Sequence, residues 1–135
     1  MSLVTDFLAR PAQLSAASKY TALNGVAYLG MGALLAAWPG VAQTLLMERA
    51  FVGQEDALFR VIGLTTMVIG WLYLFGGCSG SRQFVAATII HRLIFVPLVF
   101  APLIVAGVFP HVLLAFAILD PLLAIGAWTL LARKT

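Results

Sequence analysis

Thr88-Ile89-Ile90-His91-Arg92-Leu93-Ile94-Phe95-Val96-Pro97 sets a histidine and an arginine in the middle of a long apolar run. What solvent surrounds that run decides the fold. The chain has 135 residues, 62% of them hydrophobic and only 10% charged, with a mean hydropathy of +1.04. A soluble domain carries roughly 25% charged residues. Too few charges remain to cover a water-facing surface, so the solvent is expected to be lipid. The fold expected is all-α: an integral membrane four-helix up-down bundle, with short interfacial helices at the N-terminus and after the first span. One transmembrane domain over residues 1–135 accounts for the whole chain.

Outward from the opening stretch, the spans follow from apolar length and from the residues that interrupt it. The run itself belongs to a span over residues 83–105 that contains Pro97 and Pro102, each of which removes a backbone bond and favours a kink. Gly107 and Pro110 bracket a very short turn into a last span over residues 110–131, which contains Asp120-Pro121. Before the run lies a span over residues 57–76, with Gly63, Gly70 and Gly77 repeating every seventh residue. This stripe suits close, left-handed helix packing at about +20°. The first span covers residues 20–37, with Gly25 and Gly32 also seven apart and with Trp38-Pro39-Gly40 as its stop. Ser15 or Ser18 caps it. Residues 2–10 read as a short amphipathic helix with Leu3, Val4, Phe7 and Leu8 on one face, ended by Pro11. Residues 41–50 read as a second such segment. Both are too short to span and belong at the interface.

The basic residues orient the bundle. Arg10 and Lys19 precede the first span, Arg82 sits in the second link, and Arg133 and Lys134 close the chain. The positive-inside rule then puts both termini in the cytoplasm. The same scattered placement, without interleaved aromatics, excludes nucleic acid as a partner for a chain of net charge +3. Cys78 stands alone in a Gly/Ser turn, with no disulfide partner and no metal-ligand spacing. Asp6 and Arg10 interrupt the N-terminal apolar residues, so no secretory leader is expected. Phosphate loops, nucleophile elbows and zinc motifs are absent from the sequence.

A polar constellation is expected near the midplane. Arg92 lies nine residues past the start of its span, ~14 Å at ~1.5 Å per residue. Asp120 lies ten residues past the start of the next, ~15 Å by the same rise. In a hydrocarbon core ~30 Å thick the two meet from opposite sides, and a lone charge there costs at least ~3 kcal/mol. An Arg92–Asp120 pair is therefore expected. Ala117, Ala124 and Ala127 share the Asp120 face, and Pro121 and Pro97 leave the carbonyls of Ala117 and Leu93 without their usual donors. Tyr28 and His91 reach comparable depth, His91 turned about 100° from Arg92, while Tyr73, also a pocket candidate, lies nearer the inner surface. Asn24 lies nearer the inner surface and Arg60 nearer the outer, both as binding candidates. The bland alternative is that the Arg92–Asp120 pair only fixes helix register.

Three function classes fit. The first is an accessory or oligomeric structural subunit, argued from the glycine stripes and the absence of a soluble domain; its partners are the lipid bilayer and either further copies or a membrane complex. The second is a membrane-embedded enzyme or binder of a lipophilic small molecule. In it, Asp120 or His91 exchanges a proton, Arg92 stabilises an oxyanion, and Tyr28 and Tyr73 line the pocket; isomerase or epoxide-type chemistry fits that equipment. The third is an oligomeric transporter or channel. No cofactor and no metal site is expected. Haem is conceivable only with His91 as axial ligand and a non-histidine or open second position, since His111 lies too far away.

Arg60-Val61-Ile62-Gly63, Gly70-Trp71-Leu72-Tyr73 and the Arg92 region give the chain a layout that resembles small bacterial inner-membrane proteins of the DoxX-like kind. These have four helices, glycines through each span and an arginine at the start of the second. The resemblance covers the span layout and implies a bacterial inner-membrane location. It carries over no catalytic residue, and the mid-span Asp120-Pro121 has no counterpart in it.

Overall fold

The computed structural model describes residues 2–133, and within them the chain is helical with no strand. Lys134, read above as part of the basic tail, lies outside the described residues. The elements are α1 (Leu3–Leu8), α2 (Ala16–Ala37), α3 (Val41–Leu46), α4 (Glu55–Cys78), α5 (Arg82–Ile90), α6 (Val96–Val105) and α7 (Pro110–Ala132). A π-helical turn, His91–Phe95, joins α5 to α6 into one rod. Four helical units, α2, α4, the α5–α6 rod and α7, are long and apolar enough to cross a membrane.

Local chemistry sets the helix ends. Ser15 caps α2 by accepting from the Ser18 amide at 3.1 Å, and Ser81 caps α5 by accepting from the Phe84 amide at 3.1 Å. Gly80 and Gly107 turn the chain with φ of +72° and +75°, a region that a side chain resists. Pro110 opens α7, where its missing N–H is no loss. The two short helices are shorter than the sequence suggests. α1 stops at Leu8, because the residues leading to Pro11 are driven toward extended backbone. It lies beside α4, with the Phe7 ring 4.3 Å from that of Phe75 and 5.6 Å from that of Trp71. α3 stops at Leu46, since Met47 turns left-handed (φ 55°) and swings Glu48 inward.

The tightest packing joins α2 to α4. A Cβ built on Gly70 would lie 2.5 Å from the Leu29 amide nitrogen and 2.7 Å from the Gly25 carbonyl oxygen. One on Gly32 would lie 2.5 Å from the Gly63 carbonyl oxygen, and one on Gly77 would lie 2.6 Å from the Ala22 amide nitrogen. The two backbones touch through residues that have no side chain to separate them. Reading along the seam, Ser18 and Ala22 meet Gly77, Gly25 and Leu29 meet Gly70, and Gly32 and Ala36 meet Gly63. The order is reversed, so the helices are antiparallel, and the spacing alternates four and three, the 3.5-residue repeat of left-handed packing.

α7 packs along the α5–α6 rod, with Arg82 donating to the Leu131 carbonyl at 3.2 Å. Ala17, Val85, Ile89, Ala124 and Ala127 fill the core at the end of the bundle nearest the chain termini. Leu35, Val41, Ala42, Phe59 and Val112 fill it at the α3 end. Between these clusters α4 departs from the others. No Cα of α4 comes within 8 Å of one in the π-turn, α6 or α7.

Candidate functional site

The parting of α4 from α6 and α7 leaves a cavity of about 380 Å³. Val61, Thr65 and Ile69 wall it on the α4 side, Val99 and Phe100 on the α6 side, and Leu113 and Phe116 on the α7 side. Val61 is 59% exposed, Phe95 55% and Val99 52%, so the cavity opens sideways between α4 and α6. Its α3 end is closed by aromatic rings: Phe59 lies 4.7 Å from Phe109 edge to face, and Phe51 lies 4.6 Å from Phe59. At the opposite end the lining turns polar, with Tyr28, Tyr73, His91 and Asp120. A mostly apolar cavity with a few convergent polar groups is the usual form of a small-molecule site.

Tyr73 organises the polar end. Its hydroxyl lies 3.3 Å from His91 Nδ1, and its ring meets Tyr28 edge to face at 5.6 Å. The Arg92 guanidinium carbon stands 4.8 Å from the same ring's centroid. Tyr28 is 3% exposed and Asp120 6%, yet neither Tyr28 OH nor Asp120 Oδ1 has a hydrogen-bond partner within the chain. Thr66 also borders the cavity, but its hydroxyl is taken by the Ile62 carbonyl at 2.8 Å.

The expected Arg92–Asp120 ion pair is not formed. Among the described residues the ion pairs are Arg49–Glu55, Arg60–Asp56 and the longer His111–Glu48 approach. Arg92, fully buried, donates instead to its own helix: Nε to the Thr88 carbonyl at 3.3 Å and Nη2 to the Thr88 hydroxyl at 3.2 Å. Its Nη1 is left without a partner. The reason is directional. Side chains lean toward the N-terminus of their own helix. On antiparallel neighbours, residues at equal depth therefore lean apart. The Arg92 side chain folds back along α5 to Thr88. Arg92 is also not among the residues that border the cavity.

The opening stretch contains the π-turn. The Val96 amide bonds to the His91 carbonyl five residues back, and Pro97 lies in the first turn of α6, where its missing N–H costs little. His91 and Arg92 diverge as their 100° offset requires. Arg92 enters the core, while His91 stands at the exposed rim of the cavity with its ring stacked toward Phe95 at 6.2 Å.

Arg60 and Asn24 are not brought to the cavity. Arg60 reaches over the end of α2, donating to the Ala36 and Ala37 carbonyls at 2.8 and 3.3 Å and to Asp56 at 3.1 Å. It satisfies carbonyls that a helix end leaves open. Asn24 is buried on α2, its Nδ2 unpartnered, and does not border the cavity.

Glu48 was not singled out in the sequence, yet it holds the closed end of the cavity. Its Oε2 accepts from the amides of His111 and Val112 at 3.1 and 3.2 Å. α7 needs this help: its cap residue Phe109 has a left-handed backbone (φ 40°) and supplies no side-chain cap. A carboxylate at a helix N-terminus also meets the positive end of the helix dipole. Arg49 then forks onto Glu55, with Nη1 to Oε2 at 2.8 Å and Nη2 to Oε1 at 2.6 Å, and lies 5.2 Å from the Phe109 ring. These contacts join the α3–α4 loop to the first turn of α7.

No group of three or more His, Cys, Asp or Glu side chains among the described residues is arranged to hold a metal ion. Comparison with protein-family models, with curated proteins and with solved structures finds no match to this chain.

Proposed function

We propose that the four long helical units cross a bilayer as an up-down bundle, and that the gap between α4 and α6 binds a lipophilic small molecule drawn from that bilayer. The observation that carries this reading is the cavity itself: about 380 Å³, open sideways, apolar along its walls and bordered at one end by Tyr28, Tyr73, His91 and Asp120. Arg10, Lys19, Arg82 and Arg133 gather at the end that carries the termini, which we take to be cytoplasmic. The DoxX-like layout is the basis for placing the chain in a bacterial inner membrane.

A purely structural subunit has less support. Its main argument was the glycine stripes, and Gly25, Gly32, Gly63, Gly70 and Gly77 are all used inside the chain, where α2 meets α4. They offer no face to a partner.

The test is to purify the protein in nanodiscs, identify co-purifying lipophiles by native mass spectrometry, and repeat with Thr65→Phe, which fills the gap. A bound molecule at one per chain, displaced in the variant, is expected. Identical bulk-lipid profiles for both proteins would refute the binding reading.

A further inference from the structure

Resting on the bilayer reading and not on the cavity, we infer that the end carrying the chain termini binds anionic lipid, the phosphate groups of that leaflet being held by Arg10, Arg82 and Arg133. The two ends of the bundle treat charge in opposite ways. At the α3 end both arginines have an acid: Arg49 forks onto Glu55 at 2.6 Å, and Arg60 meets Asp56 at 3.1 Å. Acids also stand where helix N-termini favour them. Glu55 and Asp56 open α4, and Glu48 takes the amides of His111 and Val112 in the first turn of α7. At the other end Arg10, Lys19, Arg82 and Arg133 are all exposed, and none has an ion-pair partner among the described residues. Arg82 is the first residue of α5 and Lys19 the fourth of α2, and neither helix has an acid in its first turn.

Printed contacts gather three of these cations into one patch. A Cβ built on Gly80 would lie 3.0 Å from Pro11 Cγ and 3.6 Å from Leu14 Cδ2, so the segment that follows Arg10 packs on the α4–α5 turn. Two residues past Gly80, Arg82 donates to the Leu131 carbonyl at 3.2 Å, and Arg133 follows two residues beyond Leu131. Like charges brought together repel, and an anion between them relieves the repulsion. Guanidinium groups match phosphate oxygens in a fork. The apolar surface alongside selects a lipid over a soluble anion. Leu8 lies two residues from Arg10 and is 57% exposed, with Leu3 85% exposed on the same short helix. Phe7 holds that helix against Trp71 and Phe75 of α4. Trp71 is seven residues before Cys78 at the end of α4, ~10 Å at ~1.5 Å per residue. α1 therefore belongs to the same leaflet as the cations and offers acyl chains a surface beside the phosphate-binding groups.

The experiment offers the full-length protein, purified in mild detergent, an equimolar mixture of phosphatidylglycerol and phosphatidylcholine with the same acyl chains. Native mass spectrometry counts each lipid retained. Phosphatidylglycerol is expected to be retained about tenfold over phosphatidylcholine, and high salt is expected to erase the preference. Each patch arginine changed to Gln is expected to lower phosphatidylglycerol retention about fivefold, the change per basic residue at an anionic surface. The double variant Arg10→Gln/Arg133→Gln leaves the Arg82–Leu131 contact in place, so its loss of retention does not depend on that packing. Arg60→Gln, at the opposite end, is expected to leave retention unchanged. Equal retention of the two lipids, or an Arg60→Gln loss as large as that of the double variant, overturns the inference. Displacement of phosphatidylglycerol by inorganic phosphate at constant ionic strength also overturns it, assigning the patch to a soluble anion. Protein that stays monodisperse after the detergent is removed overturns the bilayer reading itself.

Discussion

α4 presents two faces that the same apolar composition treats in opposite ways. On one, Gly63, Gly70 and Gly77 bring its backbone against that of α2. On the other, Val61, Thr65 and Ile69 border a gap facing α6 and α7, and no Cα of α4 comes within 8 Å of one in either helix. In the bilayer proposed above, lipid chains are as apolar as leucine, so apolarity alone would not close the helices; backbone approach and dispersion contacts would. Where glycines recur at seven residues the helices close. Where side chains keep their bulk and no small residue answers them, the helices stay apart and a cavity survives.

The largest effect belongs to the closed face. Gly70→Val places methyl groups where Leu29 and Gly25 backbone atoms already stand. It is expected to cost more than about 4 kcal/mol, seen as loss of the monodisperse species in size-exclusion chromatography. Folded Gly70→Val protein at normal yield would mean the seam is not what holds α4. Next comes the latch at the end of the gap. Glu48→Ala removes two charge-assisted bonds to α7 and is expected to cost about 3 kcal/mol, read as a lowered midpoint of thermal unfolding in detergent. Thr65→Phe, on the open face of the same helix, is expected to be tolerated and to gain about 0.5–1 kcal/mol by filling space. A Thr65→Phe loss as large as that of Gly70→Val would erase the contrast between the two faces. Arg60→Ala is the smallest: the side chain is half exposed, and the change is expected to stay below about 1 kcal/mol.

Much of this was legible in the sequence. Apolar length and the stops Trp38-Pro39-Gly40, Gly77–Arg82 and Gly107–Pro110 marked the helices, because lipid thickness and backbone chemistry act locally. The glycine repeats marked a close-packing face on each of these two helices, α2 and α4, but not that the two faces meet each other. Tyr28, His91 and Asp120 were recognisable as polar groups at shared depth and Tyr73 as one nearer the inner surface, and all four border one cavity. The Arg92–Asp120 contact was not legible. Depth locates a Cα, whereas contact depends on which way the side chain leans, and antiparallel helices lean their side chains apart. The cavity walls were hidden too, since Val61 or Val99 facing a gap reads like any residue facing lipid. Glu48 acts on amides 63 and 64 residues away, and nothing near it in the sequence marks that target.

That long reach bears on the order in which the chain matures. α2 and α4 are successive long helices, and their seam can shut as soon as both have emerged from the ribosome. Glu48 waits longer. One carboxylate oxygen takes the adjacent Arg49 amide at 3.3 Å, but the other meets its partners only when the last helix arrives with the His111 and Val112 amides. The hairpin is thus the early product of synthesis, and the Glu48 contact registers that the final helix is in place.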